Sequence, residues 1–171
     1  MLGSADVIRG DARSLPLADD SVDLVVTSPP YLNLRAYQDG GQSYEGQIGS
    51  EESREAFIDA LLEVTAECMR VTKPSGSIFV NLGDSYRDKG LQLTPHRYAM
   101  RCVDELGLLL RAEIIWAKPN GLPESVTDRV RRSHEVWWHF TLGPRYYSAI
   151  DEIREEHTCD RDRGPRRCGT G

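Results

Sequence analysis

The 171-residue sequence contains no apolar run close to the roughly 18 residues that a membrane-spanning helix needs. Its opening, Met1-Leu2-Gly3-Ser4-Ala5-Asp6, has neither a basic n-region nor an apolar h-region, so no export signal is read and a cytoplasmic chain is expected. There is no Cys-x-x-Cys pair, no internal repeat and no low-complexity tract. His157, Cys159 and Cys168 lie close together, but their spacing matches no standard zinc site and a fourth ligand is missing. No metal is expected. With no export signal, a disulfide framework is not expected either. Cys68 and Cys102 fall on the apolar stripes of predicted helices, where a free thiol acts as a small core residue.

Positive charge is also scarce overall, with 21 bases against 27 acids and a net charge of −6. Taken alone, that balance argues against a protein that coats nucleic acid by charge. The distribution qualifies it. Residues 1–60 hold eleven acids and four bases, whereas residues 111–147 hold six bases against four acids. Lys118, Arg129, Arg131 and Arg132 form a candidate phosphate-contacting group, although an ordinary solvated charge run has the same composition. Hydrophobic residues make up 39%, which suits one core in one domain.

The apolar pattern predicts strands at Asp6–Gly10 and Val22–Thr27, the second nearly continuous in apolar residues, as expected of a strand buried on both faces. A polar loop over 32–50 leads to a helix from near Ser50 that carries the stripe Phe57, Leu61, Val64, Cys68 and Val71 and stops at Lys73-Pro74. Ser77–Asn81 reads as a third strand, followed by a helix capped by Thr94 with Pro95 in its first turn. That helix carries Tyr98, Cys102, Val103 and Leu106 and closes at Gly107. Two further strands are expected over 110–117 and 137–142. Strands alternating with helices imply an α/β fold with a mostly parallel sheet and helices on both faces. Ligands of such sheets sit beyond strand carboxyl ends, where Asp11, Ser28–Tyr31 and Asn81–Asp84 all fall. Residues 151–171 are charged and poor in large apolar residues, and poor order is expected from about 155.

Ser28-Pro29-Pro30-Tyr31 carries the most specific chemistry. Two prolines fix two φ angles and remove two N–H donors, so the Pro29 carbonyl is stiffly aimed and free to accept. Ser28 offers a second acceptor and Tyr31 a flat ring. Two acceptors beside a stacking surface suit a planar ring with an exocyclic amine, such as a nucleobase. A strand-ending turn with a core tyrosine fits the same four residues.

The segment Thr27-Ser28-Pro29-Pro30-Tyr31, after Val22-Asp23-Leu24-Val25-Val26, resembles the catalytic motif of DNA methyltransferases that methylate N4 of cytosine or N6 of adenine. Ile8-Arg9-Gly10-Asp11-Ala12, Ile115-Trp116-Ala117-Lys118-Pro119-Asn120, Ser133-His134-Glu135 and Tyr146-Tyr147 are similar to the family in matching order. The resemblance is to the permuted members, in which the catalytic motif comes first. It implies a Rossmann-like methyltransferase fold, S-adenosyl-L-methionine as methyl donor and double-stranded DNA as partner. It implies that Ser28 and the Pro29 carbonyl accept from the target amine, that Pro30 holds the turn and that Tyr31 stacks on a flipped base. Asp11 and Ala12 fall where the family contacts the cofactor adenine; Asp11 could equally terminate a strand. Serine in the first motif position leans toward N4-cytosine, with N6-adenine the alternative.

The family's Phe-x-Gly-x-Gly turn after a strand, which binds the methionine part of the cofactor, has no counterpart here. The expectation is therefore an incomplete fold. Residues 1–150 form the catalytic portion, and 151–171 form a charged tail. The chain then reads as a fragment, a split subunit or a truncated product whose missing segment or complementary subunit is a further partner. A non-catalytic remnant that binds DNA or a partner, and an amino-methyltransferase acting on RNA or protein, remain alternatives. His134 reads as a structural hydrogen-bonder, Trp116, Trp137 and Trp138 as core, and Asn81 and Asp84 as pocket-lining.

Overall fold

The computed structural model describes residues 4–32, 38–39, 42–43, 46–119 and 125–154. Its main sheet has the order β1-β4-β8-β7, from β1 (Val22–Thr27), β4 (Thr72–Leu82), β7 (Leu109–Ala117) and β8 (His134–Thr141). Two small hairpins stand apart: β2 (Gln38–Asp39) with β3 (Gln42–Ser43), and β5 (Tyr86–Arg87) with β6 (Gly90–Leu91). Helices α1 (Arg54–Val71) and α2 (Thr94–Asp104) complete the regular elements, apart from a short 3-10 turn at Ile150–Ile153.

The expected α/β fold is present, with a different sheet composition. β1 pairs parallel to β4, but β8 pairs antiparallel to both β4 and β7, so the sheet is mixed. β7 and β8 lie side by side as an antiparallel pair, and antiparallel strands need no covering crossover helix. Among the described residues, both helices pack into the core on one face of the sheet. Ile78, Val80 and Leu82 alternate along β4 and sit opposite Phe140, Trp138 and Val136 of β8. All six join Phe57, Ile58 and Leu61 of α1 and Tyr98, Ala99 and Cys102 of α2 in one core. The other sheet face presents Leu24 and Val26, 52% and 59% exposed, together with Ile114 and Trp116. Among the described residues, nothing pairs with the outer edge of β1.

Several local expectations need correction. Asp6–Gly10 is not a strand; Val7 is fully exposed and Ile8 is 60% exposed, because no described strand offers this segment a ladder. α1 starts with Ser53 as its N-cap, whose side chain accepts from the Ala56 N–H, and not near Ser50. α1 does stop just before Lys73-Pro74, at Val71, and Pro74 itself lies within β4, where Pro74 and Ser75 are exposed and the β1 register shifts. Thr94 is not the cap of α2. Leu93 holds that position in the left-handed region, at φ 56°, and the Thr94 N–H is satisfied by Asp84 Oδ1 at 3.2 Å. Val103 is exposed, and Ala99 takes its place on the buried stripe. His157, Cys159, Cys168 and the tail from 155 lie outside the described residues, as do parts of the 32–50 loop.

The irregular N-terminal segment is tied down by polar contacts to the end of α1. Glu67 accepts from the Leu15 N–H at 2.7 Å, and Arg70 donates to the Leu15 and Leu17 carbonyls. The Arg70 guanidinium, followed by the Leu15 amide, pulls the Glu67 carboxyl down to about 2. A carboxyl lowered on folding contributes stability above its unfolded value and loses it as pH falls through the folded value. Hydrogen-exchange protection at the Leu15 amide should therefore be retained at neutral pH and decline from about pH 4.5 toward 2. Protection unchanged across that range would show that Glu67 does not anchor the segment.

Candidate active site

β1 delivers the Ser28-Pro29-Pro30-Tyr31 turn to the carboxyl end of the parallel pair, beside the end of β4. Two glycines permit the close packing around it. Gly49, at φ +99°, lies against the Pro30–Tyr31 backbone, where an added Cβ would stand 3.1 Å from the Tyr31 carbonyl oxygen. A Cβ on Gly83 would stand 2.6 Å from Cε2 of the Tyr31 ring, which has no flexible end to yield. The tyrosine ring thus rests in the space left by a missing side chain.

Asn81 organises the polar side of the turn. It is buried, and its Nδ2 donates to the Val136 carbonyl at 3.1 Å, which fixes the amide orientation. Its Oδ1 accepts from Ser28 Oγ at 3.3 Å and from Tyr31 Oη at 2.9 Å. The single Ser28 hydroxyl proton is thereby spent on Asn81, and the Ser28 oxygen presents lone pairs outward as an acceptor. Tyr31 Oη also lies 2.9 Å from Glu135 Oε2, and Glu135 Oε1 in turn pairs with Lys118 Nζ. An open cleft next to the Tyr31 ring is lined by Leu32, Phe57, Leu82, Gly83, Asp84, Ser85 and Thr94.

Asp84 supports this wall from behind. Its side chain is fully buried, Oδ1 accepts from the Ser85 and Thr94 N–H groups, and Oδ2 lies 3.4 Å from Arg132 Nη1. That last contact is an ion pair without hydrogen-bond alignment.

The structure brings together Ser28, Pro29, Pro30, Tyr31, Asn81 and, through the cleft, Asp84. It gives other roles to most of the basic group. Lys118 pairs with Glu135 and lies 4.7 Å over the Trp116 ring; Arg129 stacks 3.5 Å over Tyr86; Arg132 pairs with buried Asp84. Arg131 is exposed. Asp11 and Ala12 are exposed in a turn, and the Asp11 carboxylate accepts from the Arg13 backbone and guanidinium, which lowers its pKa. Trp138 is core as expected, whereas Trp116 is half exposed and forms a tilted pair with Trp137 on the open sheet face. His134 is exposed at the start of β8. Reading the sequence alone missed Gly83 and the roles of Asn81 and Glu135 around Tyr31. The available signals were the strand end at Asn81–Gly83 and the family-like Ser133-His134-Glu135 segment.

The DNA methylase family model matches residues 22–167. The chain belongs to this family. The type II methyltransferase M.Cfr9I of Citrobacter freundii is 34% identical over 186 residues, covering 91% of this chain and 60% of the relative. The PvuII DNA methyltransferase, described as cytosine-N4-specific, superposes with a TM-score of 0.69 at 25% identity, over 84% of this chain and 51% of that one. TTHA0409 of Thermus thermophilus, described as a DNA modification methylase and solved with S-adenosyl-L-methionine, gives 0.57 at 29% identity, over 82% and 57%. This methylase-family chain spans about 60% of the length of the Citrobacter relative. Among the described residues, no helix is long and apolar enough to cross a membrane and no group of His, Cys, Asp and Glu could hold a metal.

Proposed function

We propose that this chain carries the catalytic and target-base portion of an S-adenosyl-L-methionine-dependent DNA methyltransferase that modifies the exocyclic amine of a flipped base, N4 of cytosine in preference to N6 of adenine. The observation that carries the reading is Asn81 turning the Ser28 hydroxyl into an outward acceptor beside a ring held by Gly83. The lone pair of a base amine is delocalised into its ring, so the nitrogen is a poor nucleophile. Ser28 and the Pro29 carbonyl, accepting its two hydrogens, favour a pyramidal nitrogen and stabilise the positive charge that develops on it. The Tyr31 ring offsets part of the cost of extruding the base. After methylation the amine is acidic enough to lose its proton to water, so exposed His134 is not needed as a base.

S-adenosyl-L-methionine supplies an electrophilic methyl group when bound. The described residues do not make a site for it on their own. Asp11 is solvent-exposed and engaged by Arg13, and among the described residues no glycine-rich turn follows a strand. The exposed Leu24 and Val26, and a β1 edge unpaired among the described residues, support a partner segment or subunit that covers this face and pairs with that edge, because parallel strands are normally buried on both faces. Residues 1–150 would form this catalytic portion, in a prokaryotic or phage cytoplasm, with Lys118, Arg129, Arg131 and Arg132 as the group that meets the DNA phosphates.

The test is transfer of labelled methyl from S-adenosyl-L-methionine to DNA by the 171-residue chain, with and without a polypeptide supplying a glycine-rich cofactor segment. Transfer is expected with the added polypeptide and little without it. Robust transfer by the chain alone would overturn this division, and transfer by neither would overturn the function.

A further inference from the structure

The Tyr31 hydroxyl lies at the end of a charged relay that the chemistry above does not use. One phenolic proton faces two acceptors, Asn81 Oδ1 and Glu135 Oε2, each at 2.9 Å. Asn81 Oδ1 is already an acceptor for Ser28, and its amide cannot flip without placing one carbonyl oxygen against that of Val136. The carboxylate is the stronger acceptor, since a charged partner roughly doubles the strength of a hydrogen bond. Glu135 is mostly buried, with 18% of its side chain exposed, and Lys118 holds its other oxygen. Lys118 is itself fixed at both ends: its backbone N–H donates to the Ser133 carbonyl at 2.7 Å, and its ammonium lies over Trp116.

Resting on the function proposed above, we propose that Glu135 is a positioning residue for Tyr31, setting the angle of the ring by capturing its hydroxyl, with Lys118 holding the Glu135 carboxylate. The arrangement is selective. Gly83 gives the ring a flat backbone seat, and the hydroxyl is the polar group through which its direction is fixed. Burial, with Glu135 adding to it, pushes the Tyr31 phenol up to about 12, which keeps the proton on the oxygen as a donor. Glu135 comes from β8, 104 residues from Tyr31 in sequence, so base stacking is tied to the β7–β8 pair.

The experiment uses the full chain labelled with 3-fluorotyrosine and read by fluorine NMR. Tyr31→Phe assigns the Tyr31 resonance by its loss. Glu135→Ala should move that resonance by more than its linewidth while the other tyrosine signals stay in place. Glu135→Gln, which keeps an acceptor, should return it most of the way. An unmoved Tyr31 signal in Glu135→Ala overturns the proposal, and so does failure of Gln to restore it. If all tyrosine signals shift together in Glu135→Ala, the residue is structural and the proposal also fails. The spectrum needs neither DNA nor cofactor, so a chain that never supports methyl transfer would defeat the functional reading and leave this result standing.

Discussion

Tyr31→Ala is expected to lower the proposed methyl transfer by roughly five- to 150-fold when assayed with a polypeptide that supplies the cofactor segment. Stacking of a base on an aromatic ring is worth roughly 1–3 kcal/mol, and about 1.4 kcal/mol is a factor of ten. The loss is expected in full because the neighbouring surface cannot substitute for the ring. Gly83, beneath it, has no side chain, and the space left becomes open to water. Tyr31→Phe keeps the ring and should retain more activity than Ala, losing only what the hydroxyl contributes to its angle. The fold should persist in both variants, since Tyr31 packs against the core from its margin and is only partly buried. Single-turnover rates on DNA, compared with thermal unfolding of the same preparations, separate the two effects. Equal rates for wild type and Tyr31→Ala would remove the ring from the mechanism.

Asp84→Ala is expected to be the most destabilising of the site substitutions, by roughly 3–5 kcal/mol. That is the usual cost of leaving one member of a buried ion pair without its partner. Arg132 is 14% exposed at its side chain and would keep its charge with no carboxylate beside it. The same change removes the acceptor for the Ser85 and Thr94 N–H groups, so the start of α2 loses its only side-chain cap among the described contacts. Against a typical domain stability of about 5–15 kcal/mol, this is a large share. Urea unfolding should show the midpoint falling sharply, and Arg132→Met in the Asp84→Ala background should recover part of it by removing the stranded charge. A midpoint shift below about 1 kcal/mol would mean that Asp84 and Arg132 are solvated in solution.

Much of this architecture was legible because it is periodic. Val22–Thr27 reads as a strand from its apolar run, and α1 reads from Phe57, Leu61, Cys68 and Val71, all buried as the spacing requires. The turn at Ser28–Tyr31 is legible because its chemistry is contained in four consecutive residues. What failed depends on partners distant in sequence. Val7 and Ile8 have a strand's composition but no neighbouring ladder. Thr94 has the composition of a cap, yet Leu93 holds the cap position and the side chain that accepts from the Thr94 N–H is Asp84, ten residues earlier. The contacts of Lys118, Arg129 and Arg132 with Glu135, Tyr86 and Asp84 were not legible either, because each joins residues separated in sequence. The parallel sheet was over-read for a similar reason, since strand composition does not report strand direction.

Ser28 and the Pro29 carbonyl are proposed to accept from and activate an exocyclic base amine stacked on the Tyr31 ring. DNA methylated with labelled S-adenosyl-L-methionine by the complemented protein, digested to nucleosides and resolved by mass spectrometry, tests this most directly. Label on N4-methylcytosine is expected; label on N6-methyladenine would reverse the base preference while keeping the amine. Label at a ring carbon of cytosine, or on no nucleoside at all, would contradict it.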